Sequence, residues 1–471
     1  MAGAIERAAL ERLDQDLDAR EQLIRRLVVE RLPEFPEADV TSDVVATYFV
    51  VSERKGLLDV GRTIAYHQTT AVRDPEPGSL VAACTGRALD CLAFDADERI
   101  GLARVAFPLA MLLDSRGAVS STDLLHVAAG AGVFALREFR DIKLVELALG
   151  LDVLCTFPGP AYGPEGVREL ADFGGDVAFG SIVKPCTGLG PEGVASAVGA
   201  AAAHPLFLFV KEDEELLPGA PFCPLRERVR LSVRAVARAR RDDGSRVIYA
   251  PHVGAHPGAL LETVRAAVEE GARAVMFSEY YAHGSLRLVR DALQAAGTPV
   301  VIYGHNGGIS VHTRHIWREV LDLLARLDGM DIRQTGVLSE CPLLRPFGLE
   351  WRRVEEVLTR PMEGIRPVMI ARAGGLDQGN VIANLADIER HGDVRGYLLL
   401  AGSAINGFTD EAGRADPRGG AEAMGQALAA YNDADFDNAA APHVPWLRAY
   451  ARRRGFAELV RALELRYGAG D

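Results

Sequence analysis

Eight short apolar runs recur between residues 178 and 401, at intervals of roughly 25–40 residues. Each run has the length of a buried strand and is followed by a stretch with apolar residues at helical spacing. The predicted strands are Ala178–Val183, Leu206–Val210, Val247–Ala250, Ala274–Phe277, Pro299–Tyr303, Met330–Gln334, Pro367–Ala371 and Tyr397–Ala401. The predicted helices are Ala195–Ala203, Leu225–Arg240, Gly258–Glu270, Ser285–Ala295, His315–Arg326, Trp351–Thr359, Val381–Glu389 and Gly419–Ala430.

Eight strand–helix units in about 240 residues predict a (β/α)₈ TIM barrel. A doubly wound open sheet is the rival architecture, but it usually has fewer strands and a glycine-rich phosphate loop near its first strand. Neither a GxGxxG nor a GxxxxGK[ST] sequence occurs in this chain. The barrel is therefore the preferred prediction.

The N-terminal part of the chain has different patterns. Residues 4–32 carry apolar side chains at helical spacing, which predicts an amphipathic helix or helix pair that ends at Pro33 and Pro36. The run Val44–Val51 is rich in β-branched and aromatic residues and predicts a strand. Mixed strand and helix patterns continue to about residue 160, so an α+β domain is expected before the barrel.

These patterns divide the chain into four segments. We predict a helical N-terminal extension over 1–42, an α+β domain over 43–160, a barrel over 161–440 and a helical tail over 441–471. The tail pattern runs from Val444 to about Tyr467 as helix, with three arginines exposed: Arg452, Arg453 and Arg454.

Composition narrows the possible partners. The formal net charge of −13 and the pI of about 5.4 exclude the basic footprint of a nucleic-acid-binding protein. The six cysteines are scattered without a CxxC pair or zinc spacing, and no apolar run reaches membrane-spanning length. The N-terminus also lacks the apolar core of a signal peptide. We expect a cytoplasmic protein that acts on a small molecule, without nucleic-acid or membrane partners.

Polar residues follow the predicted strands where the chemistry of a (β/α)₈ barrel lies. Lys184, Lys211, His252 and His305 all come directly after a strand or at its end. Each of them, taken alone, has a plain structural interpretation as a solvated loop charge or a structural histidine. Their joint placement at successive strand ends favours a functional site.

Glycine-rich segments follow the seventh and eighth predicted strands. Gly374-Gly375 and Gly402-Ser403 match the usual position of a barrel phosphate site, where backbone N–H groups face the anion. Each pair could also be an ordinary turn.

The segment Lys211-Glu212-Asp213-Glu214 places one lysine and three acids after a buried strand. Asp213 and Glu214 can supply oxygen ligands for Mg²⁺, but an ammonium group cannot bind a cation. The tetrapeptide alone is therefore compatible with a solvated loop.

Together these motifs resemble the large-subunit family of RuBisCO and RuBisCO-like proteins, over about residues 44–430. The segment Gly180–Pro185 resembles the family's first barrel strand with its active-site lysine, and Phe209–Glu214 resembles its metal motif. The resemblance implies that CO₂ carbamylates Lys211, which then binds Mg²⁺ with Asp213 and Glu214. It also implies an active-site role for His305 and a homodimer or higher homo-oligomer.

The chain departs from the carboxylating members of this family. Their mobile lysine after the sixth strand is missing from Gly336–Cys341, and their second lysine near the first strand is Cys186 here. The residues that grip a second phosphate in those members are replaced here by Asn306, Gln334 and Ala373. Without the mobile lysine, CO₂ addition loses its electrostatic support. Without an arginine at position 306, a second phosphate loses its main counter-charge.

Two residues that the neighbouring subunit supplies in the family align with His67 and Gly132. Neither carries the family's glutamate or asparagine side chain. The resemblance therefore implies a non-carboxylating, form IV type of RuBisCO-like protein.

With these departures, the resemblance predicts Mg²⁺-dependent enolisation or isomerisation of a ketose or sugar acid with one phosphate, without CO₂ fixation. Lys184 is the first candidate base, with a pKa lowered by burial and the metal. His305 and His252 would orient hydroxyl groups or relay protons. The residues assigned to phosphate or substrate binding are Gly374, Gly375, Gly402, Ser403, Asn306 and Arg372.

Two alternatives stay open from the sequence. One is decarboxylation or carboxyl transfer on a branched 3-oxo sugar-acid phosphate. The other is a binding or regulatory barrel without catalysis.

Overall fold

The structure is a computed structural model that describes residues 17–239, 241–339, 348–433 and 444–468. The chain divides into two compact units. The first comprises residues up to 159 together with 308–328 and 352–365, and the second comprises 160–307, 329–351 and 366 onward. Two segments inside the range predicted for the barrel are thus grouped with the N-terminal unit, and the four segment boundaries stay predictions.

The first unit contains a four-stranded antiparallel sheet with the strand order β2-β3-β1-β4. All ten residues of β1 are buried, because β-branched and aromatic side chains cover both of its faces. This confirms the strand predicted over Val44–Val51 and extends it by one residue at each end. The strands are β1 Asp43–Ser52, β2 Arg87–Ala93, β3 Ile100–Pro108 and β4 Phe139–Ala148.

Helices accompany this sheet in the first unit. The N-terminal helix prediction is confirmed over Leu17–Arg31, while its residues 4–16 lie outside the described part. The α-helix ends at Arg31, and Pro33 lies in the 3₁₀ turn Leu32–Glu34 that follows it. The further helices of this unit are Leu57–Gln68, Leu80–Ala83, Ser121–Ala128, Ala131–Phe134, Leu151–Leu154, Ile309–His312 and Arg318–Leu327.

The second unit contains the eight-stranded parallel barrel that the sequence predicts. Its strand order is β7-β6-β5-β12-β11-β10-β9-β8, and a bridge between His252 and Met276 links β7 to β8. No strand end is displaced from its predicted position by more than two residues. The strands are β5 Ala178–Ile182, β6 Phe207–Lys211, β7 Ile248–Ala250, β8 Ala274–Phe277, β9 Val301–Gly304, β10 Ile332–Thr335, β11 Met369–Arg372 and β12 Tyr397–Ala401.

Helices follow the barrel strands, and the helix Leu349–Thr359 spans the division between the two units. The other helices of the second unit are Gly163–Leu170, Pro191–Ala203, Leu225–Arg238, Pro257–Glu269, Ser285–Ala295, Val381–His391, Ser403–Asn406, Pro417–Asn432, Val444–Arg454 and Ala457–Tyr467. Short 3₁₀ turns also occur at Leu109–Met111, Glu279–Tyr281 and Val394–Gly396. In the described ranges, no helix is both long and apolar enough to cross a membrane.

The C-terminal tail forms two helices that separate at Gly455, whose φ of +73° favours glycine and is typical of a helix end. Arg452, Arg453 and Arg454 are exposed, as predicted, in the last turn of the first of these helices.

Candidate active site

Lys211 is the last residue of β6 and is almost completely buried, with 1% of its surface exposed. Its Nζ donates to the backbone oxygen of Glu212 at 3.1 Å and lies 3.7 Å from Oε2 of Glu214. Burial lowers the pKa of Lys211, and the negative charges of Glu214 and Asp213 only partly oppose this shift. The structure therefore favours the uncharged amine of this residue more than solvent would.

Lys184 follows β5 and meets the end of β6. Its Nζ forms an ion pair with Oδ2 of Asp213 and lies 3.0 Å from Sγ of Cys186. Burial lowers the pKa of Lys184, but the hydrogen bonds to Asp213 and Cys186 outweigh burial and leave it raised. The carboxylate of Asp213 next to the ammonium group thus outweighs burial, and the lowering that the sequence predicts from burial together with a metal stays a prediction.

Glu214 connects this cluster to His305 after β9. Nε2 of His305 lies 3.2 Å from Oε2 of Glu214, and Nδ1 of His305 accepts from the backbone N–H of Gly307 at 3.0 Å. With Nδ1 as acceptor, Nε2 carries the proton and donates to Glu214. Burial lowers the pKa of His305, whereas the pKa of Glu214 falls because His305 and Lys211 outweigh its own burial.

His252 follows β7 and completes the group of titratable side chains. Its Nδ1 donates to the backbone oxygen of Leu216 at 3.2 Å, which leaves Nε2 as an acceptor. Burial, with smaller contributions from His305 and Arg228, lowers the pKa of His252 to about 4. The imidazole is therefore neutral near pH 7 and can accept a proton or a hydroxyl hydrogen bond.

Two donor sets share Asp213. Sγ of Cys186 and carboxylate oxygens of Asp213 and Glu215 lie within 4.8 Å of one another, but a soft thiolate is a poor ligand for Mg²⁺. The predicted set of Lys211, Asp213 and Glu214 contains two carboxylates around a buried amine. This set fits a hard cation when Lys211 carries an oxygen donor, as a carbamate does.

Neutral side chains occupy two of the positions at which the sequence predicts that no second phosphate is bound, Asn306 and Gln334. Nε2 of Gln334 donates to Oδ1 of Asn306 at 2.9 Å, and its Oε1 accepts from the hydroxyl of Tyr303 at 2.8 Å. The amide groups thus satisfy one another, and neither residue brings a positive charge to the barrel end.

The predicted phosphate loops have the backbone that glycine allows. Gly374 and Gly375 have φ of 88° and 104°, which side chains other than glycine rarely adopt. Nδ2 of Asn380 fixes this turn by donating to the backbone oxygen of Gly375 at 2.8 Å. A Cβ on Gly402 would lie 3.2 Å from Cε of Lys184, so Gly402-Ser403 lies beside the Lys184 side chain.

Arg372 lies apart from this group. Its side chain is fully buried, and its guanidinium donates to Oδ2 of Asp387 at 2.8 Å and contacts the ring of Tyr397. The arginine therefore joins β11 to the helix Val381–His391 and has no free face for a substrate anion.

Glu212 is the residue of the motif whose role the sequence did not reveal. It is completely buried and accepts from Nε of Arg228 at 3.0 Å, from the backbone N–H of His252 at 2.9 Å and from the hydroxyl of Tyr249. The sequence did carry one signal for this role. Successive side chains of a strand point to opposite faces, so Glu212 should point away from the face shared by Lys211 and Asp213. Glu212 therefore anchors the ends of β6 and β7 from behind the site.

The chain is similar to several known proteins. Residues 165–342 match the family model for the ribulose bisphosphate carboxylase large chain, catalytic domain. A ribulose bisphosphate carboxylase-like protein of Bordetella bronchiseptica is 28% identical over 312 residues, 63% of this chain and 70% of that protein. A 3-oxo-isoapionate-4-phosphate decarboxylase of Rhizobium rhizogenes is 30% identical over 212 residues, 45% of this chain and 48% of that protein.

Solved structures share the fold. Octameric Rubisco from Pyrococcus horikoshii superposes with a TM-score of 0.75 at 22% identity, over 93% of this chain and 96% of that chain. The rubisco-like protein MtnW from Alicyclobacillus acidocaldarius gives 0.72 at 25% identity, over 91% of this chain and 99% of that chain. Over residues 165–342 the chain is therefore similar to the catalytic domain of the ribulose bisphosphate carboxylase large chain, and it shares the fold of the solved carboxylase and rubisco-like structures.

Proposed function

We propose that the protein catalyses Mg²⁺-dependent enolisation or isomerisation of a ketose or sugar-acid substrate with one phosphate, without fixing CO₂. The observation that carries this proposal is the buried Lys211 beside Asp213 and Glu214. Burial lowers the pKa of this lysine and so raises its share of the neutral amine, which is the form that adds to CO₂. The carbamate that results would complete an oxygen donor set for Mg²⁺.

The bound Mg²⁺ would act as a Lewis acid that stabilises negative charge on an enediolate oxygen. The chain's own residues position the substrate and move its protons. Asp213 holds the Lys184 ammonium group in the structure, and a cation on Asp213 would remove this ion pair and so lower the pKa of Lys184. Lys184 then serves as the base next to the substrate carbonyl.

The histidines act on hydroxyl groups in this proposal. His252 is neutral near pH 7 and offers Nε2 as an acceptor, whereas His305 carries its proton on Nε2 toward Glu214. Backbone N–H groups of Gly374, Gly375, Gly402 and Ser403 hold the phosphate. Asn306 offers neutral hydrogen bonds to the remainder of the substrate.

Charge supports the proposal that the protein does not fix CO₂. The sequence Gly336–Cys341 contains no lysine, and Gln334 and Asn306 bond to each other as neutral amides. A developing carboxylate or a second phosphate would therefore lack a counter-charge at these positions.

Decarboxylation is a second candidate, favoured by the relatives named as 3-oxo-isoapionate-4-phosphate decarboxylase and transcarboxylase/hydrolase. Loss of CO₂ from a 3-oxo acid also produces an enolate, so the same metal site would serve. The two reactions differ in whether a C–H or a C–C bond breaks.

The test is a screen of phosphorylated ketoses and sugar acids with Mg²⁺ and bicarbonate in D₂O, followed by NMR. Enolisation gives deuterium uptake with the carbon skeleton intact, whereas decarboxylation gives a product one carbon shorter. Lys211→Met, which keeps the side-chain length without an amine, should lose at least about a thousandfold in rate while its unfolding transition is retained. Turnover at the wild-type rate in this variant would contradict the proposal.

A further inference from the structure

The turn that follows β11 is held together by its own side chains. Asp377 is buried, and its Oδ1 accepts from the backbone N–H groups of Gly379 at 2.8 Å and Asn380 at 3.1 Å. In return, Oδ1 of Asn380 accepts from the backbone N–H of Asp377 at 2.9 Å. Because Nδ2 of Asn380 also donates to the backbone oxygen of Gly375, this network includes the first predicted phosphate loop.

Gln378 joins the same turn to the second predicted phosphate loop. Its side chain is buried, and Nε2 donates to the backbone oxygens of Ala404 at 3.0 Å and Gly420 at 3.1 Å. Ala404 follows Ser403 in the short helix Ser403–Asn406. The segments after β11 and β12 are therefore linked directly by hydrogen bonds.

The last turn of the helix Ala457–Tyr467 contacts the Asp377 carboxylate. The hydroxyl of Tyr467 donates to Oδ1 of Asp377 at 2.8 Å, and Nε of Arg466 donates to Oδ2 at 3.3 Å. The Tyr467 ring also packs closely against the turn, because a Cβ added to Gly379 would lie 2.5 Å from Cε2 of that ring. The end of this helix therefore reaches the turn that carries Gly374 and Gly375.

The helix does not depend on this contact for its own position. Leu459, Ala462 and Leu463 are buried and anchor it, whereas Tyr467 is 43% exposed. Loss of the Tyr467 hydroxyl should thus leave the helix in place and remove one hydrogen bond to a buried carboxylate.

We propose that Asp377 and Tyr467 are positioning residues for the phosphate site, an inference that rests on the proposed function. Tyr467 holds the Asp377 carboxylate, and Asp377 sets the backbone of the turn so that N–H groups of Gly374-Gly375 face the same phosphate as those of Gly402-Ser403. A loop that is already in this conformation binds the anion more tightly, because binding does not have to order it. By linkage, phosphate on the loops also stabilises the contact of Tyr467 with Asp377.

The first test measures binding of inorganic phosphate to the full-length protein by isothermal titration calorimetry, with EDTA present so that no divalent cation holds the anion. Tyr467→Phe removes only the hydroxyl that meets Asp377, and we expect phosphate to bind at least about fivefold more weakly. Gly379→Ala should have the same effect by another route, because the added Cβ displaces the Tyr467 ring.

The matched control is Tyr450→Phe. It removes a tyrosine–aspartate hydrogen bond elsewhere in the tail, between Tyr450 and Asp433, and should bind phosphate as the wild type does.

The second measurement is hydrogen–deuterium exchange of residues 457–467. Saturating phosphate should slow exchange of this helix in the wild type and in Tyr450→Phe, and should leave exchange unchanged in Tyr467→Phe. A merely structural role for Tyr467 would change the stability of the helix without making its exchange depend on phosphate.

The two possible failures can be told apart. If the wild type does not bind phosphate, the phosphate site of the proposed function fails together with this inference. If the wild type binds phosphate, and Tyr467→Phe and Gly379→Ala bind it equally well, only the positioning role of Asp377 and Tyr467 is overturned.

Discussion

Burial and neighbouring charge compete at individual residues of the candidate site. Lys211 loses most of its solvent and has its pKa lowered, whereas Lys184 is half-buried against Asp213 and has its pKa raised. The pKa values of two lysines at adjacent strand ends are thus shifted in opposite directions. The sequence placed both at the barrel end, but the sign of each shift depends on how deeply the ammonium group is buried and on how closely a carboxylate approaches it, and the fold sets both.

The low pKa of His252 has a consequence for stability. Its ordinary value of 6.5 falls to about 4 in the folded protein, so the unfolded chain binds the proton more readily between these values. The resulting stability is fully present above pH 6.5 and is lost as the pH falls through 4. At pH 4.5 the loss from this residue amounts to about 2–3 kcal/mol.

Urea unfolding at pH 7 and pH 4.5 tests this contribution. His252→Gln should lose about 2–3 kcal/mol less than the wild type between the two pH values, because glutamine does not titrate. His256→Gln, at an exposed position after the same strand, serves as the control and should follow the wild type. An equal loss in His252→Gln and the wild type would contradict the assignment.

At the scale of elements, the pair Glu212–Arg228 links β6 to the helix Leu225–Arg238. Both side chains are fully buried, and Arg228 also donates to the backbone oxygens of Cys223 and His252. Because Glu212 lies between Lys211 and Asp213, this pair fixes the strand end that carries the candidate metal ligands.

Removing one partner of this pair should destabilise the protein strongly. Arg228→Met leaves the Glu212 carboxylate buried without its counter-charge, and we expect a loss of about 3–5 kcal/mol in the free energy of unfolding. The double variant Glu212→Gln/Arg228→Met should recover part of that loss. Arg226→Met, whose partner Glu269 is half-exposed, should cost less than about 1 kcal/mol.

These differences are measured by urea denaturation at pH 7. A loss in Arg228→Met no larger than that in Arg226→Met would show that the buried pair is not what holds the end of β6.

The elements themselves follow from the sequence where the pattern is local. The barrel strands are apolar runs that are buried on both sides, so the runs by themselves show where the strands lie. The C-terminal tail shows the limit of this approach, since its helical spacing continues across Gly455 while the backbone there turns to a φ of +73°. A single glycine within an apolar periodicity carries too weak a signal to divide a helix.

At the scale of the whole molecule, the expectation from the sequence is a homodimer or a larger homo-oligomer, and the mass in solution tests it. Multi-angle light scattering at micromolar concentration should give a mass of at least twice the chain mass of 50.6 kDa. A monomeric mass across that range would contradict the expectation.

The sequence by itself determined the order of strands and helices, the barrel class and the positions of the polar residues at the strand ends. These features depend on local periodicity and on the rule that chemistry lies at one end of the barrel. Only the tertiary structure decided which charged side chains pair with one another. Arg372 bonds to Asp387, Glu212 to Arg228, and Lys184 to Asp213.

The physical reason is distance along the chain. Lys184 and Asp213 are 29 residues apart in sequence, and their contact arises only when β5 and β6 pair in register. The pKa of a buried group depends on its burial and on the partners that the fold brings close to it, and sequence patterns specify neither.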